Sequence, residues 1–304
     1  MARYQVTHQT RYQYSQMVSL SQQLLHVEPR ALAWQRVLAS NLHILPRPTQ
    51  QHEQHDPFGN PCIRLELAQP HQTLVIAAEM QIEVLSRPQP DLEASTPWQD
   101  VMAACRYSGR AQPHLDMLVF RQESPHVHIK HDFAHYAADC FPPGRPLLAG
   151  AQALMEKIHD EFTFDAEATH IGTPLMEVLT SKRGVCQDYA HLMIACLRSL
   201  GLPARYVSGY LLTRPPPGQP RLVGADASHA WVSVWCPQIG WVDFDPTNRV
   251  IPDCQHITLA WGRDFSDVSP LRGVIIGGGA HTLEVEVTVM PLDEALAEAE
   301  AMLL

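Results

Sequence analysis

SKRGVCQDYAHLMIACLRSLGLPARYVSGY (181–210) and SHAWVSVWCPQIGWVDFDPTN (228–248) place a cysteine ahead of a helical pattern, and a histidine and aspartates on alternating, strand-like runs. Gly184 interrupts what precedes it. From Val185 the apolar residues Ala190, Met193, Ile194 and Leu197 recur at helical spacing until Gly201-Leu202-Pro203 stops the run. Cys186 is therefore expected in the first helical turn. Backbone N–H groups left unpaired there, with the positive end of the helix dipole, favour a thiolate and can hold a developing oxyanion.

In the second segment, alternation from Ser228 to Trp235 sends His229, Trp231, Ser233 and Trp235 to one face and Ala230, Val232 and Val234 to the other. Pro237-Gln238-Ile239-Gly240 is a turn, and the chain returns as Trp241-Val242-Asp243-Phe244-Asp245 before Pro246 ends the strand. Such a hairpin brings an aspartate beside His229 to fix its tautomer. Asp243 and Asp245 share a face by alternation, so spacing alone does not choose between them.

At these residues the chain resembles a known family. GVCQDYAHL, RYVSGY, SHAWV and GWVDFDPTN are similar to the signature of the transglutaminase-like superfamily, whose core resembles that of papain-like thiol enzymes. The resemblance implies Cys186 as nucleophile, His229 as base and Asp245, the aspartate followed by Pro-Thr, as orienter. It extends to RYQVTHQTRYQYSQMVSLSQQLLHVEPR and HDPFGNPCIRLEL, similar to the amino-terminal domain of bacterial transglutaminase-like proteins. IHDEFTFDAEATHIGTPLMEVL and GRDFSDVSPLRGVIIGGG also resemble that bacterial subgroup rather than the animal crosslinking enzymes.

Working outward, Tyr4, Val6, His8, Thr10, Tyr12 and Tyr14 alternate with polar partners, and 62–68 and 73–85 are β-rich. These predict a β-rich, sandwich-like domain over 1–92. The Pro-rich SRPQPDLEASTPW (86–98) reads as a linker. Helical patterns at 127–140, 146–163 and 174–180 precede the Cys186 helix, and strands are expected at 204–213, 221–224, 228–236, 240–245 and 281–291. Helices before strands make the class α+β. The expected organisation is a papain-like, transglutaminase-like catalytic domain over 93–292 behind the β-rich domain, and a tail over 293–304.

With 304 residues and 45% hydrophobic content the chain can bury one large core or two modest ones. A net charge of −10 without a dense basic patch argues against nucleic acid as a partner. MARYQVTHQT has no apolar core for a signal peptide, and no run approaches the roughly 18 apolar residues of a membrane helix. No membrane association is expected, and the cytoplasm is the expected compartment. The seven cysteines form an odd set without CxxC spacing, which suits a reducing environment.

Other residues have plainer readings. Cys196 lies deep in the apolar run of the same helix, and it, Cys236 and Cys254 read as structural. His128, His131 and His135 share a helical face near His126 and Cys140, yet zinc pairs on helices come at i, i+4 with a further ligand, so no metal is expected. Gly277-Gly278-Gly279 reads as a turn before the last strand, not a phosphate loop. Gln187 and Asp188 read as helix-stabilising. Trp231 is a candidate groove wall, and Asp226, Ser228 and Asp243 are candidate substrate-contacting residues around His229.

The chemistry that follows is acyl transfer through a thioester on Cys186, with an amide of a peptide or protein, or a γ-glutamyl group, as substrate and no cofactor. Water as acceptor gives a cysteine peptidase or amidase. A primary amine gives a transglutaminase or amide-forming acyltransferase. Transfer demands a site that excludes water, so hydrolysis is favoured. The competing class is a non-enzymatic binding or scaffold module. No carboxylate-dense loop indicates calcium.

Overall fold

The computed structural model describes residues 1–106, 115–212 and 228–295. Five strands come first: β1 (Ala2–Leu25), β2 (Gln35–Leu45), β3 (Gln50–His55), β4 (Pro61–Leu67) and β5 (His71–Val84). Then come α1 (Trp98–Ala104), α2 (Leu115–Leu118), α3 (His131–Ala137), α4 (Leu147–Glu161), β6 (Thr163–Phe164), α5 (Leu175–Ser181), β7 (Arg183–Gly184) and α6 (Cys186–Ser199). The chain ends with β8 (Ala204–Leu211), β9 (Ser228–Cys236), β10 (Gly240–Phe244), β11 (His256–Gly262), α7 (Phe265–Val268), β12 (Leu271–Gly277) and β13 (His281–Pro291). The class is α+β, as expected. No helix among the described residues is long and apolar enough to cross a membrane.

The first sheet has seven strands spliced on β1. Residues 2–13 of β1 pair with β5 and residues 4–14 with β13, whereas 21–25 pair with β4 and 18–25 with β12. Its buried positions are even-numbered as far as Val18 and odd-numbered from Ser21, because the register slips between Val18 and Leu20. A one-residue slip in a period-two element exchanges its faces. Against this bend sits the glycine turn: Gly277, Gly278 and Gly279 all have positive φ, and a Cβ on Gly277 would lie 2.4 Å from the Met17 carbonyl oxygen. Strands β12 and β13, which fall within the expected catalytic segment 93–292, thus pair with β1 in the first sheet. Most of the expected 293–304 tail lies outside the described residues.

The second sheet is antiparallel in the order β10-β9-β8-β11, and α6 packs on β8 and β9. Leu192, Ile194 and Leu197 on α6 are fully buried, each contributing about 1.5–3 kcal/mol of apolar burial. The helix ends as its sequence directs: Gly201, at φ 78°, donates to Arg198 O and Leu202 N–H returns to Leu197 O. Arg198 is 1% exposed and donates from Nε, Nη1 and Nη2 to the carbonyls of Phe120, Gln122, Ala204 and Arg263 and to Ser124 Oγ. The helix expected from residue 127 begins at His131, because Ser124 and Val127 exchange two backbone hydrogen bonds around Pro125. The strand expected at 221–224 lies outside the described residues.

The first sheet covers the free edge of β11 with two side-chain amides. Gln35 donates to Thr258 O at 2.7 Å and accepts from Thr258 N–H at 2.8 Å; Asn60 does the same with Trp261 at 2.8 and 2.9 Å. His8 on β1 adds a 2.7 Å bond to the Tyr210 hydroxyl on β8.

Candidate active site

Cys186 opens α6, and the turn is closed by Asp188 rather than by a preceding cap side chain. Asp188 Oδ2 accepts the Val185 N–H at 2.8 Å and the Thr169 hydroxyl at 2.6 Å. This fold-back requires Gly184, where a Cβ would stand 2.7 Å from that same oxygen. The N–H groups at the helix start have no intrahelical acceptors and face outward from the apolar run. Cys186 is partly exposed, as is Cys254, while the other five cysteines are buried. Burial pushes the Cys196 thiol far up, which suits its structural assignment.

His229 and Asp245 meet by way of the β9–β10 hairpin. His229 Nε2 lies 2.7 Å from Asp245 Oδ2, and Asp245 is fully buried. Burial by itself would lower the imidazole, but the hydrogen bonds to Asp245 and Cys186 and their charges raise it to about 10. With Nε2 committed to Asp245, Nδ1 is the ring nitrogen left for Cys186. Burial would raise Asp245, yet hydrogen bonds from His229 and His256 hold it well below the usual carboxylate range. Its Oδ1 also accepts the Thr247 and Asn248 N–H groups at 3.0 and 3.2 Å.

The two aspartates that alternation could not separate have different partners. Asp243 Oδ2 takes Arg87 Nη1 at 2.6 Å, whereas Asp245 takes His229. Trp231 does not wall an open groove: it is 0% exposed and packs beneath the rings of His229 and His256 at 6.0 and 5.2 Å. Ser228 is exposed at the strand start beside His229. Asp226 lies outside the described residues.

Two further side chains complete the cluster. His256 Nε2 donates to Asp245 Oδ2 at 3.0 Å, and Asn248 Nδ2 reaches the same oxygen at 2.8 Å. Asn248 closes the DPTN motif, so proximity to Asp245 was available from spacing. His256 sits on β11, whose residues are buried on both faces apart from partly buried Trp261. His229, Asp245 and His256 offer ligand atoms within 4.8 Å of one another. The carboxylate oxygen is already filled by three N–H donors, so a cation would have to displace the hydrogen bonds that align the base. His131 and His135 instead stack on an exposed helix face with rings 6.2 Å apart, and His126 stacks on buried His191 at 5.4 Å.

The chain is similar to known proteins along most of its length. Residues 134–246 match the transglutaminase-like superfamily, and residues 4–83 match the bacterial transglutaminase-like N-terminal region. An uncharacterized protein of Mycobacterium tuberculosis is 40% identical over 296 residues, covering 96% of this chain and 93% of its own. A protein-glutamine gamma-glutamyltransferase of Pseudomonas aeruginosa is 34% identical over 105 residues, 33% of this chain and 16% of that protein. A solved structure from Cytophaga hutchinsonii, named a "putative cysteine protease", has a TM-score of 0.72 at 21% identity, covering 96% of this chain and 91% of that one. At that identity the likeness speaks for a common fold.

Proposed function

Because the chain belongs to the transglutaminase-like superfamily and carries the bacterial N-terminal region ahead of the core, we propose that it is a thiol-dependent acyl-transfer enzyme acting on amide bonds. Cys186 is the nucleophile, His229 the base and Asp245 the orienting carboxylate. The observation that carries this reading is the 2.7 Å hydrogen bond between His229 Nε2 and fully buried Asp245, which leaves Nδ1 for a partly exposed cysteine at a helix start.

His229 Nδ1 takes the Cys186 thiol proton, and Sγ attacks the amide carbonyl carbon. The Cys186 N–H, at the positive end of α6, helps hold the resulting oxyanion. When the intermediate collapses, Nδ1–H protonates the departing amine and a thioester remains. Water, deprotonated by His229, then attacks the thioester, releases the acid and returns the proton to sulfur. Amide and water thus become acid and amine, with Asp245 ionised throughout.

Hydrolysis is favoured because water stands at enormous excess over any amine. Transfer to an amine is the second reading, supported by the partial match to a gamma-glutamyltransferase. The reading is tested by alkylating the protein with iodoacetamide at pH 7 and mapping the adducts by mass spectrometry. Cys186 is expected to react at least tenfold faster than Cys254, and His229→Ala to abolish that advantage. Equal rates at the two cysteines in the wild type would sink the enzyme reading. A glutamine-containing peptide offered with and without a primary amine then separates hydrolysis from transfer by product mass.

A further inference from the structure

A cavity of about 710 Å³ opens between the first sheet's loop at Asp56–Phe58 and the second sheet at Arg205, Trp241 and Trp261. Its floor is Arg205, 5% exposed, which rises from β8 between two indoles: the guanidinium carbon lies 4.1 Å from the Trp241 ring centroid and 3.7 Å from that of Trp261. Arg30 from the first domain covers the other face of Trp261 at 3.6 Å. Phe120 stands edge-on to Trp241 at 5.2 Å and extends the aromatic wall to Phe58 at 5.6 Å.

The charges here do not cancel at Arg205. Its Nε is buried with no hydrogen-bond partner. Asp243, the acid that acts on it electrostatically, spends its close contact on Arg87 at 2.6 Å. Asp267, also on the cavity wall, is held bidentately by Arg263 at 2.8 and 2.9 Å. Asp56 accepts the Phe58 and Asn60 N–H groups at 2.8 Å and the Asn60 amide at 2.6 Å. The remaining acid, Asp116, is exposed at the mouth. A buried cation without a contacting carboxylate is costly unless something supplies one. Guanidinium is planar and forked, which matches a carboxylate, and its aromatic surroundings match a flat apolar body.

We propose that this cavity binds a carboxylate with an aromatic or apolar body, its charge seated on Arg205 and its body against Trp241, Trp261 and Phe120. The volume falls within the range of small-molecule sites. The site is distinct from the Cys186 centre. Arg205 pairs across β8 and β9 with Ser233, whereas His229 pairs with Gly209, about 13 Å further along the strand at about 3.3 Å per residue. The carboxylate has two sources, a free acid or the C-terminus of a peptide.

The full chain is titrated with N-acetylphenylalanine, with Gly-Gly-Phe, and with the amide of each, following tryptophan fluorescence and thermal unfolding. Saturable binding of the acids, at least tenfold tighter than of their amides, is expected, and the tighter of the two acids identifies the source. Cys186→Ala should bind unchanged. Arg205→Lys, which keeps the charge but loses the fork, should bind at least tenfold more weakly. Met117→Glu, which leaves Arg205 in place and puts a like charge at the half-buried mouth, should weaken the acids and spare the amides. Acids and amides binding alike, no saturation at millimolar ligand, or wild-type affinity in Met117→Glu overturns the proposal.

Discussion

His256 Nε2 lies 3.0 Å from Asp245 Oδ2, the oxygen that His229 Nε2 reaches at 2.7 Å. One carboxylate thus receives two imidazoles, and His256 Nδ1 is buried without a partner. His256 holds Asp245 in place while sharing its charge. Replacing it with Phe keeps the ring's volume and its edge contact with Trp231 but frees one lone pair. Cys186 alkylation at pH 7 is expected to slow by about tenfold, the equivalent of about 1.4 kcal/mol, a smaller loss than in His229→Ala. An unchanged rate would assign His256 to packing alone.

Asp245→Asn should lower amide turnover by a factor of about 10⁴, because it favours the wrong tautomer of His229. Asp243→Asn should leave turnover within about threefold and instead lower the unfolding midpoint, since it abandons Arg87, which is largely shielded from solvent with Asp243 at 13% and 9% side-chain exposure. The reverse pattern would transfer the orienting role to Asp243.

His8 contributes to the acid limb of stability. It is 2% exposed, bonded to Tyr210 and Thr10, and burial lowers it to about 4. A histidine lowered in the folded state is protonated first in the unfolded chain, so its contribution is intact above the unfolded value of about 6.5 and is lost as pH falls toward 4. The loss is about 3 kcal/mol at about 1.4 kcal/mol per unit. His8→Gln should flatten the fall in unfolding free energy between pH 6.5 and 4, as read by urea titration. An equally steep fall in the variant would place the acid sensitivity elsewhere, with buried His191 the next group to test.

Arg198→Met should destabilise by about 3–5 kcal/mol, because it orphans several buried carbonyls at once. Urea unfolding at constant m-value is the measurement. Arg198→Lys should recover only part, since an ammonium cannot span Phe120, Gln122, Ala204 and Arg263 together. A cost below about 1 kcal/mol would mean that the 118–124 segment rearranges to satisfy its own carbonyls.

What local pattern could reveal depended on how far each residue's partner lies along the chain. The Cys186 helix is written in its apolar spacing and its Gly-Leu-Pro stop, and His229 in the strand that follows. The choice between Asp243 and Asp245 is made by Arg87, 156 positions from Asp243, and no periodicity reaches that far. Residues 271–291 fall in the expected second domain because nothing in LRGVIIG or HTLEVEVTVMP names β1 as a partner. Trp231 looked like a groove wall because alternation reports a face, not what covers it. His256 is not legible as a partner of Asp245 because the two lie on different strands and no spacing rule joins them.

The amides of Gln35 and Asn60 have a consequence for how this molecule can be cut. Each imitates a short piece of neighbouring backbone, so β11 is finished as though another strand lay beside it. A truncation beginning at residue 93 would bare that edge, and with it an invitation to intermolecular strand pairing. It would also strip β12 and β13 of β1. The first ninety or so residues are therefore structurally bound up with the rest of the chain. They complete the sheets on which the catalytic half rests, and shuffling that half onto another scaffold would require carrying them along.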